Sequence, residues 1–168
     1  MRDAEPDFST ILQALDAQKV RYVLIGGLAM IVHGSAHVTA DIDISYARDR
    51  DNLERLVHAL RTYQPRLRGV PPELPFVLDS RTLRDAANLT LATEVADVDL
   101  LAEPAGVASF DDLWNRSVVV ELYGHSVHVA SLDDLIAMKQ AAGRVKDKNH
   151  LLELYAIKEA ADSHKDES

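Results

Sequence analysis

The chain has 168 residues, 47% hydrophobic and 27% charged, the balance of a folded protein rather than a disordered or fibrous one. It contains no cysteine, which excludes disulfides and thiolate-bound metal, so any metal must be held by oxygen or imidazole. With 27 acidic residues against 18 basic ones the formal charge is −9, which argues against broad binding to a nucleic-acid backbone and confines any such contact to a local basic surface.

The length suits a single domain over residues 1–168. The opening MRDAEPDF is acidic and polar, and no stretch is long enough to span a bilayer, so a cytoplasmic protein with no membrane partner is expected. Phe8, Ile11, Leu12 and Leu15 share the spacing of one helical face and predict a short amphipathic helix. Arg21 to Ile25 is a β-rich apolar run ending in the turn Gly26-Gly27, and LAMIVHG reads as a short helix closed by Gly34. Asp41 to Ser45 alternates strictly, so a strand there carries Asp41 and Asp43 on one face and Ile42 and Ile44 on the other. Residues 49–63 place Leu53, Leu56, Val57 and Leu60 at helical spacing, and the stretch from Pro65 to Pro75 cannot continue that helix. Arg61, Arg66 and Arg68 around those prolines read as solvated surface.

Beyond this irregular connection, NLTLATEV and ADVDLL predict two strands with a tight turn, followed by a short helix near Asp111 to Asn115. SVVVELYG and HSVHVAS predict a hairpin with Tyr123-Gly124 near its turn. A C-terminal helical segment, 131–162, holds one helix over Leu132 to Ala142 and another over about Asn149 to Ala161, with the basic GRVKDK loop between them. The tail 163–168 should fray. Hairpins with interspersed helices predict an α+β (mixed α/β) fold, a mixed central sheet flanked by helices rather than a doubly wound parallel sheet.

Transfer of a phosphoryl or nucleotidyl group needs the charge of a triphosphate neutralised and its reacting oxygens held in line, work suited to divalent ions on carboxylate oxygens. Asp41 and Asp43 point the same way from one strand and can hold such ions. Asp97 and Asp99 again share a face, and alternation alone leaves open which of them supplies a third carboxylate. Gly26 and Gly27 offer a backbone without side chains that phosphates can approach, followed at once by a helix start. Singly, an alternating DxD strand is more often a solvent face and a Gly-Gly pair more often a turn; the order strand, Gly-Gly, helix, DxD strand, later acidic strand is far more specific.

The segment IGGLAMIVHGSAHVTADIDI resembles the signature of the nucleotidyltransferase superfamily that shares its fold with DNA polymerase β. Together with VDLL and VHVASLDDLIAMKQAAGRVKDKNHLLEL it is similar to small bacterial members related to the AbiEii-type toxins. The resemblance covers about residues 20 to 155 and implies the nucleotidyltransferase fold and a metal-dependent transfer of a nucleoside monophosphate from an NTP, with Mg²⁺ or Mn²⁺ as cofactor and pyrophosphate leaving. It implies that Gly26 and Gly27 contact the triphosphate, that Asp41 and Asp43 bind both metals, and that Asp99 completes the site and orients the acceptor hydroxyl. Thr39 is a polar residue near the site by the same resemblance, whereas His37 stands where relatives commonly carry an arginine, which makes pH-sensitive activity conceivable.

Lys139 occupies the next position on the stripe marked by Leu132, Leu135 and Ile136, where an apolar residue is expected. Spacing alone allows either an inward charge or a snorkelling stem; the lysine that relatives carry in the equivalent DLIAMK segment implies a charge aimed at the NTP phosphates. Arg144, Lys146 and Lys148 cluster in an otherwise acidic chain and are expected at the mouth of the site, against the alternative that they complement a helix dipole. The acceptor is open. RNA, especially a tRNA end, follows from the toxin-like resemblance, which also implies a cognate antitoxin as partner. A small hydroxylated molecule such as an antibiotic, and a partner protein, are the other acceptors, and an inert nucleotide- or partner-binding domain is the rival from another class. Three converging carboxylates, which repel one another without metal, count against that rival. His33 at a helix end, and His125 and His128 in a hairpin, read as structural. Trp114 and the scattered tyrosines form no stacking platform for single-stranded nucleic acid.

Overall fold

The computed structural model describes residues 4–167; Met1 to Asp3, at the start of the acidic opening segment, and Ser168, at the end of the tail, lie outside the described residues. Among the described residues fourteen elements follow in chain order, beginning with α1 (Phe8–Ala17), β1 (Tyr22–Ile25), α2 (Gly26–Val32), β2 (Asp41–Tyr46) and α3 (Arg50–Arg61). Next come β3 (Arg66–Leu67), α4 (Ser80–Asp85), β4 (Asn88–Ala92), β5 (Asp97–Leu101) and α5 (Phe110–Arg116). The hairpin β6 (Val118–Leu122) and β7 (His125–Val129) and the helices α6 (Leu132–Ala142) and α7 (Val145–Asp166) complete the chain. The strands form one mixed sheet in the order β3-β4-β5-β2-β1-β7-β6, which is the mixed central sheet with flanking helices expected from the sequence. No helix among the described residues is long and apolar enough to cross a membrane.

Strand alternation divides the two faces of the central strands. Ile42, Ile44, Val98 and Leu100 are fully buried and join Ile11, Leu12 and Leu15 of α1 and Leu53, Leu56 and Leu60 of α3 in the core. The intervening Asp41, Asp43, Asp97 and Asp99 are only partly covered and stand on the opposite face. There α2 lies against β2 and α6, and α6 in turn packs on α7, so the C-terminal helices form a wall beside the carboxylate strands.

Three helices differ from expectation. Gly26 and Gly27 form the first turn of α2 rather than a turn before it. Glycine is a poor helix former, but a Cβ on Gly26 would fall 1.9 Å from Asp43 Oδ2 and one on Gly27 would fall 2.9 Å from Thr39 Oγ1, so close packing takes precedence over propensity. Helix α7 starts at Val145, inside the segment expected as a basic loop, and runs on to Asp166 through most of the expected tail. Its N-cap is Arg144, which has no capping oxygen; instead the Asp147 carboxylate reaches back to accept the Arg144 N–H at 3.1 Å. Between residues 76 and 87, where no periodicity predicts an element, Asp79 caps α4 by accepting the Thr82 N–H at 2.8 Å.

Candidate active site

The register of the sheet assembles the carboxylates. Strand β2 pairs in parallel with β5, aligning Asp43 with Asp99 and Asp41 with Asp97, while antiparallel β1 sets Ile25, the residue before Gly26, opposite Asp43. One oxygen each from Asp41, Asp43 and Asp99 lies within 4.8 Å of the others, a spacing that divalent cations can bridge. Asp99 rather than Asp97 therefore joins the β2 pair, as the family resemblance implied and alternation could not decide.

Two of the three, Asp43 and Asp99, resist ionisation. Burial pushes the Asp43 carboxyl up to about 8, assisted by its hydrogen bond with Asp99 and by the charges of Asp41 and Asp99, while the Gly27 N–H works the other way. Asp99 is likewise raised, chiefly by burial and then by the charge of Asp41, against hydrogen bonds from Asp43 and Arg68. Such a donor set, all oxygen and short of positive charge, fits Mg²⁺ or Mn²⁺.

Arg68 supplies part of that charge and corrects the surface reading of the basic segment. Its guanidinium donates to Asp99 and lies 3.5 Å from Asp97 and 3.9 Å from Asp41. It reaches them because the short strand β3 pairs with β4 and the Arg68 N–H extends that ladder to Thr90 O, opposite Asp99 on β5. Two paired residues among prolines and glycine leave too short a pattern to read from sequence. Arg61 donates to Leu78 O instead, away from the acids.

The carboxylates open into a cleft of about 520 Å³ whose other wall is α6 and the start of α7. Gly26, Gly27, His37, Thr39, Lys139, Arg144 and Lys146 all line it. Thr39 Oγ1 donates to Asp41 O at 3.0 Å and approaches Asp41 Oδ1 at 3.1 Å, fixing the strand entry. Lys139 does not snorkel: its side chain is 16% exposed and its ammonium pairs with Asp147 at 3.2 Å. Arg144 Nε meets the same carboxylate at 2.7 Å. Asp147 is wholly buried, and the Arg144 hydrogen bond, with help from Lys139, holds it well below the usual carboxylate range. This buried anion, absent from the expected site, organises both cations; an inward lysine eight residues earlier is the one sequence signal that pointed to a partner. Away from the cations the cleft is lined by Asn88 and Thr90 of β4, by Glu103 and by the apolar Leu101, Pro104, Ala105 and Met138.

The remaining histidines of the sequence reading are structural. His33 Nε2 hydrogen-bonds Ala130 O at 2.8 Å, and His125 contacts Asp16 at 3.2 Å. His128 meets Ser117 at 2.8 Å and stacks on Trp114 at 3.6 Å between ring centroids.

Residues 7–161 match the family described as "Nucleotidyltransferase of unknown function (DUF6036)", and the chain belongs to that family. Its fold is that of the lincosamide antibiotic adenylyltransferase LnuA in its lincomycin-bound crystal structure, with a TM-score of 0.60 at 16% identity over 92% of this chain and 99% of that one. ANT(2″)-Ia in complex with adenylyl-2″-tobramycin is similar at a TM-score of 0.55 and 18% identity, covering 94% and 89% of the two chains. An antigenic nucleotidyltransferase-like protein from Paracoccidioides brasiliensis is similar at 0.51 and 17% identity, covering 89% and 72%. No curated protein sequence matches the chain.

Proposed function

We propose that this member of a nucleotidyltransferase family transfers a nucleoside monophosphate from an NTP to a hydroxyl of a small molecule. The observation that carries the reading is the convergence of Asp41, Asp43 and Asp99 within 4.8 Å at the Gly26-Gly27 helix start, facing a cationic wall across one cleft. Asp41, Asp43 and Asp99 would hold Mg²⁺ or Mn²⁺, which would supply the positive charge that a triphosphate needs neutralised for in-line transfer. Gly26 and Gly27 let Asp43 and Thr39 pack directly on the start of α2, along whose backbone the triphosphate would lie, and Thr39 keeps Asp41 in place. Lys139, Arg144 and Lys146 face the departing pyrophosphate. Asp99 orients the acceptor hydroxyl and takes its proton as the oxygen attacks the α-phosphorus and the bond to pyrophosphate breaks. Arg68 balances the carboxylates through its contacts with Asp99, Asp97 and Asp41.

A small-molecule acceptor is favoured over RNA for two reasons. The part of the cleft away from the cations combines Asn88, Thr90 and the acidic Glu103 with an apolar wall, the lining of a pocket for a compact organic molecule rather than a track for a phosphate backbone. Two proteins of this fold are antibiotic adenylyltransferases, one crystallised with lincomycin and one with adenylyl-2″-tobramycin. The AbiEii-type resemblance, with its RNA acceptor and antitoxin, draws no support from these relatives. The test is incubation with each α-labelled NTP and Mg²⁺ or Mn²⁺ in the presence of lincosamides, aminoglycosides, a metabolite extract, total RNA or total protein. Label in a small hydroxylated molecule is expected; label confined to RNA or protein would refute the acceptor assignment.

A further inference from the structure

The cationic wall of the cleft ends in two imidazoles. His37, on the connection between α2 and β2, and His150, in the second turn of α7, meet edge to face with ring centroids 4.9 Å apart and planes at 72°. Both line the cleft with Gly27 and Lys139. Their meeting is built: Glu153, one turn beyond His150, accepts the Ala36 N–H at 3.0 Å, and the His37 N–H donates to Ser35 Oγ at 2.9 Å. The His37 ring lies against Gly27, 3.3 Å from where a Cβ would stand. His150 Nδ1 is buried and has no hydrogen-bond partner among the described residues. Leaving a buried imidazole nitrogen unpaired is unfavourable, and here it occurs beside a wall of cations facing a cleft suited to an anion.

We propose that His37 and His150 form a proton-dependent clamp on the terminal phosphate of the donor, an inference that rests on the NTP-donor reading above. Gly26 packs on Asp43 and the next residue, Gly27, on Thr39 and His37, so the glycine backbone leads from the carboxylates to the imidazoles; a triphosphate lying along it with its reacting phosphate at Asp43 would bring its terminal phosphate toward them. Two positive charges at this distance, with Lys139 of α6 beside them, would repel each other without an anion between them. Burial, then Lys139 and His37, hold His150 below the ordinary imidazole range, opposed by Asp147 and Glu153 of its own helix. Arg144 and Lys146 add further positive charge along the same wall. A phosphate dianion reverses this balance, because each ring gains a charge-assisted bond by taking a proton. Donor binding then takes up protons and strengthens as pH falls.

The test is calorimetric titration of the full chain with each of the four NTPs and the matching NMPs in Mg²⁺, at about pH 6 and about pH 8, in buffers of different ionisation enthalpy. The expected result is proton uptake on NTP binding. The pH 8 to pH 6 ratio of Kd should be about tenfold or more larger for the wild type than for His37→Gln/His150→Gln, since one linked proton is worth up to tenfold per pH unit. Comparing ratios cancels the titration of the nucleotide itself, and the NMPs, lacking the terminal phosphate, should give equal ratios for the two proteins. If the double variant fails to fold, buffer dependence of the wild-type heat decides alone. NTP binding with equal ratios, or without proton uptake, overturns the clamp and leaves the donor reading standing. Failure of every NTP to bind at either pH overturns the donor reading and the clamp with it.

Discussion

Replacing Asp43 by Asn should flatten the pH dependence of stability of the metal-free protein. The carboxyl of Asp43 is raised from 3.8 to about 8, mainly by burial and then by its neighbours Asp99 and Asp41. A carboxyl raised on folding contributes its full stability below its unfolded value, and that stability is lost as pH rises through its folded value. Between about pH 5 and pH 8 the loss is roughly three units at about 1.4 kcal/mol each, a ceiling of about 4 kcal/mol. For a chain of this size it lowers the Tm by roughly 8 to 16 °C. Thermal unfolding in chelator should therefore show a wild-type Tm that falls steeply over this range, while Asp43→Asn falls far less and is the more stable protein at about pH 8. Adding Mn²⁺ should restore the wild type at about pH 8, because a cation that binds the folded carboxylates stabilises them by mass action. A wild-type Tm that is level or rising between about pH 5 and pH 8 in chelator, or an equal slope in Asp43→Asn, would refute the reasoning.

Arg68→Gln should tighten Mn²⁺ binding, read by paramagnetic resonance without nucleotide, by about tenfold, because the guanidinium competes for Asp99 and Asp41; unchanged or weaker binding would remove Arg68 from the site. Gly26→Ala should lower transfer by at least about a hundredfold and cost about 1 to 3 kcal/mol, since its φ is +69° and the added methyl meets the Asp43 carboxylate. Retained activity in that variant would show that the contact yields easily. Lys139→Met should raise the KM for NTP by about tenfold and, because it strips one of two cations from buried Asp147, destabilise the fold by about 1 to 3 kcal/mol in chemical denaturation. A fully active variant with undiminished stability would return Lys139 to the role of a packing stem.

The donor half of the site was legible because strand alternation is local. Asp41 and Asp43 need only a period of two to share a face, and the Gly-Gly pair is visible beside the strand it follows. The choice of Asp99 over Asp97 was not local: it depends on the parallel register between β2 and β5, which is set by packing across the sheet. Lys139 announced itself as a charge on a buried stripe, but its partner Asp147 did not, because an acidic residue near a helix start ordinarily reads as a cap. Arg68 was missed since its position is governed by a two-residue strand whose pairing lies more than twenty residues away. His150 carries no pattern at all; its meeting with His37 exists only once α7 has folded back over the loop that follows α2.

The central claim is that the chain moves a nucleoside monophosphate and releases pyrophosphate. It is tested most directly by following α-labelled and γ-labelled NTP in parallel, with Mg²⁺ and an acceptor-containing extract, for the wild type and Asp41→Asn. The account predicts that α-label becomes attached to an acceptor while γ-label appears as pyrophosphate in equal amount, and that both signals vanish in Asp41→Asn. Transfer of γ-label to the acceptor, or transfer of α-label that survives in Asp41→Asn, would contradict it.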